Sequence, residues 1–307
     1  MPFLQNKAQP LLWPVMAAAL VLSWSSGFVG IRFASENADV MLVLFWRTLV
    51  SGLILLPFAL LIGPPISVRA MLRQMMFGVA MMFLYLGGFA LAIGQRVPTG
   101  LVALISDLVP LAIAALSQPV LGHRLSGRQW IGTALGTVGV LIVSLDSLTL
   151  GTAPLWAYLL TVASMVVLAL ATVVQKRMGT ILMPIHQSLC IQCLTAATLF
   201  ALCAAWNGGL TPPLDGRFEF GIAWLVLFST FFCYGIYYAS LRLYSVAQVG
   251  SAIYLSPPVT MLWGWAMFGE PLSTAMFLGL AVTLFGVWLT ASRAGIEPIM
   301  DIKEVNP

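Results

Sequence analysis

Two ionisable side chains, Arg47 and Asp107, lie within long apolar stretches of the sequence. Charged side chains at membrane depth are rare, costly and usually tied to a substrate or an ion. Arg47 and Asp107 are therefore candidates to bind the carboxylate and amino groups of a substrate, and Asp107 is also a candidate to carry a coupling proton. The alternative is a structural role, either as an ion pair or through separate hydrogen bonds to the backbone.

Proline residues mark two further positions in the apolar stretches. Pro110 lies three residues after Asp107, and Pro257 and Pro258 follow Ser256 in a later stretch. A proline within a helix removes a backbone donor and frees carbonyl groups, which are tolerated in a membrane only beside protein or a water-filled cavity. The prolines therefore predict hinges or broken helices whose carbonyl groups can accept bonds from a substrate. A kink that serves helix packing is the alternative.

Aromatic, hydroxyl and methionine side chains lie near the middle of several apolar stretches. A buried tyrosine needs a partner for its hydroxyl group, and methionine adapts to ligands of different shapes. These residues predict a wet cavity that stacks flat apolar groups, with simple core packing as the alternative. The candidate substrate-binding residues are Trp24, Met82, Tyr85, Ser106, Asp107, Tyr234, Tyr254 and Ser256.

The composition requires that these side chains be placed by helices in a membrane. The chain has 307 residues, of which 60% are hydrophobic and only 8% are charged, against about 25% charged in a typical globular protein. A membrane-spanning helix needs about 20 apolar residues, so the length fits ten such helices with short loops. The fold class is predicted to be an all-α polytopic membrane protein, with spans at 12–33, 40–62, 70–94, 98–120, 128–146, 152–175, 183–206, 219–241, 247–268 and 273–292.

Basic residues are distributed unequally between the two sides of these spans. The termini and even-numbered loops hold Lys7, Arg69, Arg73, Arg124, Arg128, Lys176, Arg177, Arg242, Arg293 and Lys303, whereas the odd-numbered loops hold Arg32, Arg96 and Arg217. Cytoplasmic loops carry the excess of Lys and Arg. Both termini are therefore predicted to be cytoplasmic.

The sequence repeats itself at an offset of 147 residues, which pairs Pro110 with Pro257 and Gly139 with Gly286. The two repeats are predicted at 11–146 and 152–292, followed by a cytoplasmic tail at 293–307. Five spans in each repeat are an odd number, so the second repeat must cross the membrane in the opposite direction. Inverted repeats are typical of secondary transporters, with the substrate near the membrane midplane.

The two five-helix halves resemble the EamA family of the drug/metabolite transporter superfamily. The most specific part is a turn that reads LGHRLS at 121–126 and FGEPLS at 268–273. Family members usually carry Glu in this turn, so Glu270 matches and His123 departs. Within the family, the length and the aromatic-rich interior resemble YddG-type exporters. The resemblance implies alternating-access export of amino acids across the bacterial inner membrane, preferentially aromatic ones, with Met, Thr and related small metabolites as further substrates.

Other functions have less support from the sequence. An exporter of lipophilic cations or other drugs of the same superfamily is the alternative, and an integral membrane enzyme is a remote one, because the chain has only two histidines and one deep carboxylate. The expected partners are a small-molecule substrate and membrane lipid, with no nucleic acid, cofactor or metal and no required oligomer. The four cysteines are expected to be packing residues.

Overall fold

The structure is a computed structural model that describes residues 9–109, 111–113, 116, 127–150, 153–178, 183–244, 249 and 252–291. The described residues form helices and their connections, with no β-strand among them. Helices satisfy their own backbone hydrogen bonds, which is what a chain without water around it requires. The described residues therefore confirm the predicted class of fold, an all-α membrane protein.

The helices are α1 Gln9–Ala34, α2 Val40–Leu61, α3 Val68–Gly94, α4 Thr99–Ser106, α5 Gly127–Leu150, α6 Leu155–Arg177, α7 Ile185–Asn207, α8 217–243, α9 Ser256–Phe268 and α10 Thr274–Ala291. Most helices begin and end close to the predicted spans, but α4 and α9 are shorter than the predicted spans 98–120 and 247–268 because the helix is broken within each of them. Six stretches, in α1, α2, α3, α6, α7 and α8, are long and apolar enough to cross a membrane, and shorter apolar helices cover Thr99–Ile113, Trp130–Asp146 and Thr274–Gly286. The termini, the turn at 121–126 and the tail at 293–307 lie outside the described residues.

Side-chain caps fix the start of two helices at the same end of the bundle. Asp39 Oδ1 accepts a hydrogen bond from the Met41 amide at 2.8 Å at the start of α2. Asp215 Oδ1 accepts from the Phe218 amide at 2.9 Å at the start of α8. The hydrogen bond from Phe218 is the main reason that the pKa of Asp215 lies below its usual value. Both caps satisfy donors that a helix leaves without partners in its first turn.

Two helices contain a π-helical segment in their middle third. The segments cover Gly78–Leu86 in α3 and Leu225–Phe232 in α8. Their first residues are 147 positions apart, which is the repeat offset seen in the sequence. π-segments widen a helix and often occur at functional sites. Their presence at equivalent positions therefore predicts a cavity beside α3 and α8.

Two other positions interrupt the regular helix, again 147 residues apart. The chain turns at Asp107–Leu108 after α4 and at Tyr254–Leu255 before α9. At the first turn the Leu108 amide donates to the Ile105 carbonyl at 3.1 Å, and at the second the Leu255 amide donates to the Ala252 carbonyl at 2.9 Å. A helix break therefore occurs at the place that the prolines predicted.

Pro257 and Pro258 lie on the C-terminal side of the second break. Pro257 and Pro258 occupy the first turn of α9, where a missing amide leaves no hydrogen bond unmade. They start a new helix and do not kink the middle of one. This agrees with the broken helix that the prolines predict. Pro110 lies outside the described residues. Whether either break works as a hinge stays a prediction.

Helices from the two halves pack against one another in a two-fold pattern. α2 packs on α7 and α5 on α10, so each of these pairs joins equivalent helices of the two repeats, whereas α4, which precedes the first break, packs on α9, which follows the second. The contacts of α3 with α6 and of α1 with α8 are also equivalent when the halves are exchanged. The pattern indicates two similar helical units that share one interface.

The α5–α10 pair is held at backbone contact by glycines. A Cβ atom built on Gly279 would lie 2.5 Å from the Gly139 carbonyl oxygen, and one built on Gly286 would lie 2.5 Å from the Gly132 carbonyl oxygen. Small residues let membrane helices approach closely. These glycines therefore belong to the scaffold.

Replacing Gly286 should destabilise the protein by separating α5 from α10. We expect Gly286→Leu to lower the free energy of unfolding by about 1–3 kcal/mol, the usual cost of overpacking a filled interface. Thermal unfolding of the purified protein in detergent measures the effect. The matched control is Ala281→Leu, because Ala281 is exposed on the same helix. Equal loss of stability in both variants would contradict this role for Gly286.

Candidate functional site

A cavity of about 330 Å³ lies where the two halves meet. Its wall comes from α1, α2 and α3 of the first half and from α6, α7 and α8 of the second. Both π-segments contribute to it, through Met81, Met82 and Tyr85 in α3 and through Ser229 and Thr230 in α8. The wider turns of the two helices therefore coincide with the space between the repeats.

Five of the residues singled out in the sequence lie in the cavity wall, namely Trp24, Arg47, Met82, Tyr85 and Tyr234. The wall is mostly aromatic and aliphatic. The Trp24 and Tyr237 rings are 6.3 Å apart, and the Tyr85 and Phe89 rings are 5.1 Å apart. Ring pairs at these separations attract one another through their edges and faces. The cavity can therefore stack a flat apolar group.

Arg47 is the cationic side chain of the wall among the described residues. Its Nη2 atom donates to Ser229 Oγ at 3.2 Å, which joins α2 of the first half to α8 of the second. An ion pair between Arg47 and Asp107, considered from the sequence, is not formed by these two described residues. A Cβ atom on Gly27 would lie 2.7 Å from Ser229 Oγ, so α1 also approaches this point closely.

A pair of glutamine side chains extends the polar part of the wall. Gln192 lines the cavity, and its Nε2 atom donates to Gln74 Oε1 at 2.8 Å. Gln74 is buried in α3. Neither Gln74 nor Gln192 was predicted from the sequence as a site residue. A polar amide side chain within an apolar stretch is the feature that could have pointed to them. Thr48, Ser51 and Ser229 were also missed, since hydroxyl groups occur along most of these helices.

The other four candidates, Ser106, Asp107, Tyr254 and Ser256, lie at the two helix breaks rather than in the cavity wall. They are connected to the cavity by α1. Trp24 lies beside the Asp107 side chain, and the adjacent Ser25 donates from Oγ to the Ser256 carbonyl at 3.2 Å. The sequence candidates thus form a cavity group and a helix-break group that share Trp24.

A separate polar contact joins the halves at the end of the bundle where α1 ends and α4 begins. Glu270 Oε2 accepts from the amide and hydroxyl of Thr99, both at 2.8 Å, and Arg32 Nε lies 4.0 Å from Glu270 Oε1. Burial is the main cause that raises the pKa of Glu270, and the bonds from Thr99 oppose it. Gly269, with φ at +65°, ends α9 and turns the chain back so that Glu270 reaches α4. The contact must break if this end opens.

The two like halves, the cavity between them and the unwound helix positions define a polytopic helical membrane transport protein. The model of the family described as EamA-like transporter family matches the chain twice, over residues 11–145 and 155–292. The chain belongs to the EamA-like transporter family. It is an integral membrane transporter and not an enzyme, which confirms the family and the general class predicted from the sequence.

Similar proteins agree with this assignment. The Escherichia coli K12 protein called "Uncharacterized inner membrane transporter YedA" is 27% identical over 91% of this chain and 90% of its own length. The "Probable amino-acid metabolite efflux pump" of the same strain is 24% identical over 90% of this chain and 93% of its own length. A solved crystal structure has the same fold, with a TM-score of 0.63 at 18% identity, over 90% of this chain and 94% of that chain.

Two cysteines on α7 provide a direct test of the cavity. Cys193 lies in the cavity wall, whereas Cys190 is buried against α2, with Sγ 3.5 Å from the Gly52 carbonyl oxygen. We expect a small membrane-permeant thiol reagent to label Cys193 much faster than Cys190, because only Cys193 adjoins open space. Labelling rates are compared in two variants that each retain one of these cysteines. Equal rates at the two positions would mean that the cavity is closed to small molecules.

Proposed function

We propose that this protein is a secondary transporter that exports amino acids, preferentially aromatic ones, by alternating access. Met, Thr and related small metabolites are further substrates, and the inner membrane of a bacterium is its location. The observation that carries the proposal is the cavity between the halves, which combines aromatic walls with one guanidinium group.

The size and chemistry of the cavity suit a single amino acid. Ligand pockets commonly measure about 300–1,000 Å³, and this cavity of about 330 Å³ is at the small end of that range. Arg47 can form a charge-assisted hydrogen bond with a carboxylate, while Trp24, Met82, Tyr85 and Tyr234 provide surfaces for the side chain. Substrates with several phosphate charges would need more cationic groups than the described wall provides.

The name of one relative supports the same substrate class. The Escherichia coli K12 protein that is 24% identical to this chain is called a probable amino-acid metabolite efflux pump. Its similarity extends over 90% of this chain, so both halves and the cavity between them are included. The aromatic preference rests on the cavity wall of this chain rather than on that relative.

The proposed topology has ten spans in two inverted repeats, with both termini in the cytoplasm. The excess of Lys and Arg in the even-numbered loops supports the orientation. The exchange of equivalent helix contacts between the halves supports the repeat. On this topology the Glu270 contact closes the external end, and the breaks before Pro257 and Pro258 and near Pro110 permit the halves to change their relative tilt.

Export of lipophilic cations is the second candidate function. Aromatic walls attract cations over their faces, and Asp107 supplies a carboxyl group next to Trp24. A cationic substrate would be repelled by Arg47, however, which is why a zwitterion is the better match. Competition between the two ligand types distinguishes these functions.

Transport of aromatic amino acids should be measurable with the purified protein alone. We expect proteoliposomes to take up radiolabelled Trp, Phe and Tyr saturably, with each of the three inhibiting uptake of the others, because all three would occupy the same cavity. Arg47→Gln should reduce uptake about tenfold or more through loss of a charged hydrogen bond. Uptake equal to that of empty vesicles for all three would refute the amino-acid proposal, and inhibition by lipophilic cations alone would favour the second candidate.

Loss of the Glu270 charge should favour opening of the external end. We expect Glu270→Gln to speed labelling of Cys193 by an impermeant thiol reagent added outside, by about fivefold or more, the scale of a typical conformational coupling. Cys193 is retained as the single cysteine in this experiment. The control is Glu219→Gln, because Glu219 is exposed at the same end of the bundle. An unchanged rate in Glu270→Gln would remove Glu270 from the closure of this end.

A further inference from the structure

Three buried polar atoms at the helix breaks have no hydrogen-bond partner. They are Asp107 Oδ2, Ser106 Oγ and Ser256 Oγ. Ser106 is 5% exposed and Ser256 is fully buried. A buried polar atom without a partner costs free energy, and in folded proteins such atoms are few. Three of them together at the two breaks therefore favour a ligand that donates hydrogen bonds at this place.

The two breaks lie close together in the fold, even though about 150 residues separate them in sequence. Neighbouring residues of α1 contact both, since Trp24 lies beside the Asp107 side chain and Ser25 donates to the Ser256 carbonyl. α4 packs directly on α9, and Tyr254 is close enough to Asp107 to interact with its charge. The oxygen atoms thus belong to one cluster.

The electrostatic character of the cluster favours a cation. Asp107 is the C-terminal capping residue of α4, so it adds its carboxyl group to the end of a helix whose dipole is already negative. The helical turn at residues 252–253 also ends at the second break, and it does so beside Tyr254. At the second break this C-terminal end meets the N-terminus of α9, and the two helix dipoles oppose each other there. The negative charge of the cluster therefore comes from the Asp107 carboxylate.

The cluster is also adjacent to the cavity. Trp24 belongs to the cavity wall and lies beside the Asp107 side chain, so one side chain adjoins both places. Tyr85 is a neighbour of both Arg47 and Asp107, since it interacts electrostatically with each. Arg47 and Asp107 therefore flank the same aromatic side chain at the edge of the cavity.

We infer that Asp107, Ser106 and Ser256 form an ammonium subsite, which binds the primary amino group of the substrate while Arg47 binds its carboxylate. This inference rests on the proposed function and specifies how it selects its substrates. An ammonium group has three N–H donors, which match the three unpartnered oxygen atoms. The transporter selects zwitterionic α-amino acids over the corresponding amines and acids, which each lack one charge.

Three ligands with the same indole ring separate the two charge contacts. L-tryptophan carries both charges, tryptamine lacks the carboxylate, and indole-3-propionate lacks the ammonium group. Their dissociation constants are measured with purified protein. The wild-type chain is expected to bind L-tryptophan about tenfold or more tightly than either analogue, because each charged hydrogen bond contributes at least that factor.

The variants are expected to lose different preferences. Asp107→Asn should bring the affinities for L-tryptophan and indole-3-propionate within about twofold of each other, while it keeps the preference over tryptamine. Arg47→Gln should bring the affinities for L-tryptophan and tryptamine within about twofold of each other, while it keeps the preference over indole-3-propionate. Ser106→Ala is a milder change at the same subsite, so it should lose only part of the preference for L-tryptophan over indole-3-propionate. This variant remains informative if Asp107→Asn fails to fold.

The matched control is Ser240→Ala. Ser240 is fully buried on α8 and its Oγ atom also has no partner, but it lies outside the breaks and the cavity wall. This variant should keep both preferences. A free sodium ion could bind the same oxygen atoms, so each measurement is repeated with choline in place of sodium, and unchanged preferences are expected.

Two results would overturn the subsite. One is an equal loss of affinity for all three ligands in Asp107→Asn and Ser106→Ala, which would mean that these residues only support the fold. The other is a preference of the wild-type chain that disappears when choline replaces sodium, which would assign the cluster to a free cation. If the wild-type chain binds none of the three ligands, the proposed function fails instead, and the subsite as an amino-acid site fails with it.

Discussion

Lipid offers no hydrogen-bond partners to the backbone, and this constraint determines where the helices of this protein can depart from regular geometry. The departures are two π-segments and two helix breaks, and both pairs are related by the repeat offset of 147 residues. The π-segments adjoin the cavity, and the breaks adjoin one another beside Trp24. Within the part of the chain that the structure describes, these irregular helix positions thus lie between the halves, where protein, water or substrate can satisfy the backbone.

The scaffold is symmetric, but its chemistry is not. Arg47, Tyr85 and Asp107 in the first half correspond at the same offset to Leu194, Phe232 and Tyr254 in the second. Glu270 corresponds in the same way to His123. The second half therefore supplies the matching framework, whereas the charged contacts come mostly from the first. Under the proposed alternating access, such a division permits the halves to exchange conformations while the substrate keeps one set of polar contacts.

Much of the fold could be predicted from the sequence because lipid makes composition informative. Runs of apolar residues placed the helices to within a few residues, apart from α4 and α9, which the breaks shorten, and Pro and Gly positions revealed the repeat. The site was predicted in part: Arg47, Tyr85 and Trp24 stood out as unusual residue types in apolar stretches. The π-segments, the Gln74–Gln192 pair and the contact of Glu270 with Thr99 could not be predicted. They depend on which helices meet, and no local pattern in the chain encodes that.

We propose that the two halves cross the membrane in opposite directions and enclose one site. Equivalent positions at the ends of α3 and α8, Gln95 and Arg242, test it most directly. Each is replaced by cysteine in a chain without other cysteines, and intact cells are treated with an impermeant thiol reagent. We expect Gln95→Cys to be labelled from outside, and Arg242→Cys to be labelled only after the membrane is opened. Labelling of both from the same side would contradict it.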